Sequence, residues 1–240
     1  SKYVTPISNG ASTQVNYDGF KKERNTLNEY LARLSKVEQS KFDSWDKDKQ
    51  LAFLINAYNA YTIALILTEY PDIASIRDLG SFFSSPWKKE IAPLLGETRT
   101  LDEIEHELIR GTNQTTKTYN EPRIHFAVNC ASVGCPALRE EAYTGNKLDE
   151  QLEAQTKRFL SDSARNKMSG DTLYLSKIFD WYSEDFEGKY GEWRDTSTLN
   201  EFILLYKDAM RLTEAQVSVL KNNTADIEYL NYDWALNVAQ

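Results

Sequence analysis

Two cysteines and two histidines are present among the 240 residues, and three of those four fall in RIHFAVNCASVGCPAL, Arg123 to Leu138. Side chains of these types, so close together, fit four chemistries: a catalytic thiol, a small disulfide, a metal site, or a packed core strand. Arg123 to Asn129 reads as a strand. In an extended strand His125 and Cys130 point to opposite faces, so they converge only if the chain bends near Asn129. Cys135 precedes Pro136, a residue favoured at the first position of a helix, and a helix start lowers a thiol's pKa. The helix-end argument favours Cys135 as the reactive thiol, and the nearby histidine favours Cys130. His106, His125, Cys130 and Cys135 are the right types for zinc, but their spacing matches no usual zinc pattern. No metal and no organic cofactor is expected.

Other polar residues fall on helices that would position this segment. In TRTLDEIEHELIRG, Thr100 is the expected N-cap, Glu103 completes a capping box, and Gly111 follows the end. Leu101, Ile104 and Leu108 define an apolar stripe flanked by Ile109. Glu105 falls inside that stripe and His106 at its edge. A buried carboxylate needs a cation or several donors, and the ordinary partner would be an arginine such as Arg123 or Arg139. LAFLINAYNAYTIALIL is apolar nearly all round, so it is expected at the centre of the protein. Asn56 and Asn59 share one of its faces. Buried amides find partners, so this pair either anchors loops or orients a substrate.

The remaining sequence bounds the fold. Apolar residues make up 41%, and 240 residues are enough for a core without staples. A formal charge of -8 argues against nucleic acid or an anionic membrane as partner. Asn56, Tyr58, Asn59 and Tyr61 interrupt the uncharged run Leu51 to Thr68, so a buried helix is expected there and not a membrane span. Helices are also read at Leu148–Leu160, Thr196–Tyr206 and Thr213–Leu220, and strands in TLYLSKIF and IEYLNYDWAL. The expectation is a single α+β domain over 16–240, mostly helical, with a small antiparallel sheet in the second half. Residues 1–15 are expected to be disordered or foreign to the natural chain.

NAYNAYTI, SIRDL, PW, LDEIEHELIR, RIHFAVNCASVGCPALREEAYT, LSKIFDWYSEDF and YLNYDWALN follow one another in the order and approximate spacing of a known family. Over roughly Asp48 to Asn237 the chain resembles domain of unknown function 547. The resemblance falls on Asn56–Asn59, on Ile104–Glu105–His106, on His125–Phe126–Ala127 and on Cys130. It favours Cys130 over Cys135, because relatives can carry serine at the second cysteine position. It also implies a bacterial, exported protein whose leader has been removed, and hence a periplasmic or secreted location. The helical first half followed by a histidine-bearing sheet is similar to papain-like and transglutaminase-like folds, an analogy that does not fix chemistry. On that analogy Cys130 is the expected nucleophile, His125 the general base, and Glu105 the group that orients the imidazole. Should the strand stay straight, His106 replaces His125 as base. Asn56, Asn59 or Asn129 would supply amides to an oxyanion, and Arg139 is a further candidate for substrate contact. The expected reaction is hydrolysis or transfer at an amide, ester or thioester carbonyl of a peptide or small acyl substrate. The alternative is a non-enzymatic module that binds a protein or ligand and uses its cysteines structurally.

Overall fold

The uncharged run forms the middle of the protein. In the computed structural model, which describes residues 2–81, 84–112, 118–188 and 193–239, it belongs to a helix over Lys47–Ile66. Asp46 caps this helix by accepting the Lys49 N–H at 2.8 Å. Leu54, Ile55, Tyr58, Tyr61 and Leu65 are buried on different faces of it, so neighbours cover it from several directions. No helix among the described residues is long and apolar enough to cross a membrane.

The chain begins with an antiparallel hairpin, β1 (Val4–Ile7) and β2 (Ser12–Val15), where sequence suggested disorder. Burial of Val4 and Val15 explains the order, together with backbone bonds from Val15 N to Asn237 O and from Ala239 N to Val15 O. Helices α1 (Tyr17–Lys22), α2 (Arg24–Ser35) and α3 (Gln39–Asp43) then lead into the central helix, α4. A second hairpin, β3 (Ala92–Leu94) and β4 (Glu97–Arg99), turns through Leu95 and Gly96, both at positive φ.

The next helix opens as expected. Thr100 Oγ1 accepts the Glu103 N–H at 3.1 Å, and the Glu103 carboxylate accepts the Thr100 N–H at 2.6 Å. From Glu103 to Ile109 it widens into a π-helix, closed by an Arg110 N–H to Glu105 O bond, and the chain turns at Gly111 with φ +62°. Ile104 and Ile109 are buried along this segment, whereas Leu108 is only partly so.

Arg123–Asn129 is not a strand. Pro122–Phe126 forms a short 3-10 helix, with Pro122 at its first turn and Glu121 accepting the Arg123 N–H at 3.1 Å. Buried Arg123 holds it in place through ion pairs with Glu121, Asp149 and Glu153. No helix opens at Cys135–Pro136; the chain runs on as a loop to a 3-10 turn at Gly145–Lys147 and then α5 (Leu148–Leu160).

Strands β5 (Lys167–Ser169), β6 (Thr172–Leu175) and β7 (Asp226–Tyr229) form a three-stranded sheet in the second half, with β5–β6 antiparallel and β6–β7 parallel. The parallel pair requires a long crossover, supplied by α6 (Ile178–Trp181), α7 (Ser183–Phe186), α8 (Leu199–Leu205) and α9 (Glu214–Lys221). The fold is α+β, as the sequence suggested.

Two hydrophobic clusters share this framework. One surrounds α4, and the other is aromatic, with Phe126 in ring contact with Phe159, Phe179, Phe186 and Phe202. Ile124 packs in the first cluster and Phe126 in the second, so His125 sits on the seam between them. Replacing Phe126 with alanine should cost about 3–5 kcal/mol. Chemical denaturation should show this as a lower midpoint at unchanged slope.

Candidate functional site

A cavity of about 220 Å³ opens at that seam. Tyr58 of α4, Asp102 at the start of the π-helical segment, Glu105 and His106 within it, His125, and both cysteines line it. Trp181 and Tyr182 from the α6–α7 region, Trp87, and Tyr232 and Trp234 near the C-terminus complete the wall.

His125 is fully buried and held on two sides. Its Nε2 lies 2.7 Å from Asp185 Oδ2, and its ring stacks on Tyr182 with centroids 4.0 Å apart. Arg110 Nε donates to the same Asp185 oxygen at 2.7 Å. Burial works against a charged Asp185, but hydrogen bonds from His125 and Arg110 and the Arg110 charge outweigh it and keep the carboxyl ionised well below its usual range. Burial lowers the His125 pKa and Asp185 only partly opposes this, so the imidazole is neutral at pH 7. An ionised Asp185 accepts a hydrogen bond from Nε2–H, which leaves Nδ1 as a lone pair. That atom is buried and has no hydrogen-bond partner among the described residues, neither sulfur included.

The thiols occupy a loop fastened at both ends. Asn59 Nδ2 donates to Ala127 O at 2.9 Å, and Asn59 Oδ1 accepts the Asn129 N–H at 2.8 Å. Asn129 then spans the loop, accepting the Ala131 N–H and donating to Pro136 O at 2.7 Å. Ala131 adopts φ +65°, a turn that a strand could not make. The C-terminal segment pairs with the far side of the loop through Val133 N to Ala235 O and Gly134 N to Asp233 O. A Cβ on Gly134 would come within 2.9 Å of the Tyr232 ring, so only glycine lets that ring lie on the loop.

Both cysteines are free, with Cys130 half-buried and Cys135 buried. Cys135 Sγ accepts the Cys130 N–H at 2.9 Å and the Tyr232 hydroxyl at 3.1 Å, and Ser132 Oγ lies 3.3 Å away. The same two hydroxyls lie 3.2 and 3.3 Å from Cys130 Sγ. Burial raises the Cys135 pKa, but the donors around it more than offset that and bring it down to about 6. Its neighbour and its own burial push Cys130 the other way, well above the ordinary thiol range. The pair therefore carries one negative charge at neutral pH, centred on Cys135. Hydrogen bonds produce this, and not the helix end that sequence suggested.

Residues 42–160 match the sequence model of the family described as Protein of unknown function, DUF547. Over this stretch, just under half of the chain, the protein is similar to that family. No curated protein and no solved structure matches the chain. The DUF547 match spans α4, the π-helical segment, both histidines and both cysteines, and ends at the close of α5. Asp185, Tyr182 and Tyr232 lie beyond it.

Several expected roles change within this site. His125 and Cys130 do reach one cavity, because the chain bends where a strand was expected. The carboxylate that holds the imidazole is Asp185, whereas Glu105 accepts the Tyr182 hydroxyl at 2.7 Å. Neither Arg123 nor Arg139 pairs with Glu105; Arg139 bonds Glu141 away from the cavity lining. Asn56 closes on both backbone groups of Tyr143, so the amides of Asn56, Asn59 and Asn129 are all spent on loops. His106 lines the cavity, but its Nδ1 accepts from Arg110 at 3.0 Å. Among the described residues, no three of His, Cys, Asp and Glu are grouped as metal ligands.

The thiolate should be visible in solution. Ultraviolet thiolate absorbance of the reduced protein should rise with a midpoint near pH 6, and Tyr232→Phe should move it toward the ordinary value of about 8.5. The folded pKa lies below the unfolded one, so the added stability is complete above the unfolded value and fades as pH falls through about 6. Cys135→Ala should lack that increment when denaturation is compared on the two sides of this window.

Proposed function

We propose that the protein is a thiol-dependent hydrolase or acyltransferase acting on an amide, ester or thioester carbonyl. One observation carries this reading: the cavity wall that holds Cys130 also holds a neutral, aspartate-bound imidazole whose other nitrogen is unspent. Cys130 suits the nucleophile, since it is the less buried of the two thiols and keeps its proton until a base takes it. Its sulfur would bond to the carbonyl carbon while its proton passes to His125 Nδ1. The hydroxyls of Tyr232 and Ser132 lie beside that sulfur and would serve the developing oxyanion by turning from Cys135 and from Tyr232, to which they respectively donate in the resting site. Collapse would expel the amine, alcohol or thiol with the proton from His125, leaving a thioester on Cys130. Water or an acceptor nucleophile would then release the acyl group.

Asp185 replaces Glu105 in the orienting role because it touches the imidazole nitrogen. Glu105, with Tyr182 bound to it, instead fixes the ring that stacks on His125.

Acyl-enzyme formation tests this directly. A panel of peptide, ester and thioester acyl donors should leave a mass adduct on the Cys130 peptide, and Cys130→Ala should abolish it. His125→Ala should slow its formation by about 10²–10⁴-fold while leaving the fold intact by circular dichroism. A wild-type protein with no adduct from any donor class would leave a ligand-binding module as the better account.

A further inference from the structure

We propose that the cavity recognises an alkylammonium group, so that its ligand carries a protonated amine seated against the tryptophans. As a statement about substrate class this rests on the acyl-transfer reading, whereas the binding itself does not. Three tryptophans and a tyrosine make one wall. Trp181 stacks on Trp234 at 5.6 Å, Tyr232 packs on Trp234 at 4.5 Å, and Trp87 meets Trp234 edge-on at 5.8 Å. Their faces carry the negative side of the aromatic quadrupole.

The polar groups on the other side are acceptors. Asp102 and Glu105 contribute carboxylates, and no lysine or arginine is among the described residues lining the cavity. The nearby cations are otherwise engaged or lie outside. Arg110 is bound to Asp185 and His106, Arg77 lies over Trp234 without lining the cavity, and Lys88 is exposed. Asp102 has one weak ion-pair contact, to His106 at 3.8 Å, and is itself only 30% exposed. A cavity walled by aromatic rings and two carboxylates, with no lysine or arginine among its described lining residues, binds an anion poorly and a neutral alcohol without special advantage. An ammonium group satisfies both, through cation–π attraction to the rings and donor hydrogens toward the acceptors. The volume of about 220 Å³ exceeds the roughly 150 Å³ that admits benzene, so a short alkyl chain fits with it.

Calorimetric titration of the reduced wild-type protein with n-butylammonium, n-butanol, butyrate and tetramethylammonium decides the matter. The ammonium should bind at least about tenfold more tightly than the alcohol, with butyrate weakest. Trp181→Leu should weaken it about five- to thirtyfold at unchanged Tm, and Asp102→Asn should bring it close to the alcohol. Tetramethylammonium, which has no donor hydrogens, should bind less tightly than butylammonium. Equal binding of ammonium and alcohol, or no detectable ammonium binding, overturns the proposal whatever the variants do. Ammonium binding without any acyl adduct refutes the acyl chemistry alone, and an adduct without ammonium preference refutes this proposal alone.

Discussion

The side-chain amide of Asn59 is the constraint on which the site depends. It sits on a helix with no other business than to be buried, and it grips the backbone at 127 and 129, midway between the imidazole and the first thiol. Without that grip, a stretch as apolar as Ile124 to Val128 could settle into either hydrophobic cluster. With it, Ile124 goes one way and Phe126 the other, and His125 is left between them. Two hydrogen bonds worth about 0.5–1.5 kcal/mol each do not account for the stability of a domain. They fix instead the path of the backbone between His125 and Cys130.

From that point, placement of charge follows a simple logic. Asp185 is buried but accepts from two donors, so it stays ionised and fixes the His125 tautomer. Arg110 is shared between Asp185 and His106, which ties the π-helical segment to the α7 region. The thiol pair holds one proton fewer than two ordinary thiols because an N–H and two hydroxyls converge on the sulfurs. In each case the cost of burying charge is met locally by donors from segments far apart in sequence.

How much of this was legible in the sequence depended on whether the governing force was local. The central helix, the Thr100–Glu103 capping box and α5 follow from periodicity and caps, and the structure has them where the sequence indicated. The 3-10 turn at Pro122–Phe126 was misread as a strand. Its pattern is apolar and short, and what bends it is the tertiary ion-pairing of Arg123 with residues some thirty positions away. Glu105 drew attention because it lies in an apolar stripe, yet the π-widening and Tyr182 decide what it touches. Asp185 was within view in LSKIFDWYSEDF, and Tyr232 in YLNYDWALN. Neither stretch has a spacing that announces a partner 60 or 102 residues earlier, so only the fold could connect them.

The contact between Gly134 and the ring of Tyr232 also sets an order of events. The hydroxyl that helps hold negative charge on Cys135 arrives 97 residues after it, carried by a segment that docks on the loop through Val133 and Gly134. During synthesis the two cysteines emerge long before that segment exists. Until it docks, they lack the Tyr232 hydroxyl and the cover of the C-terminal backbone. The acidic thiol thus depends on a distant segment, and a growing chain carries its two sulfurs nearer to their ordinary, protonated state until residues 232–235 have been made and docked.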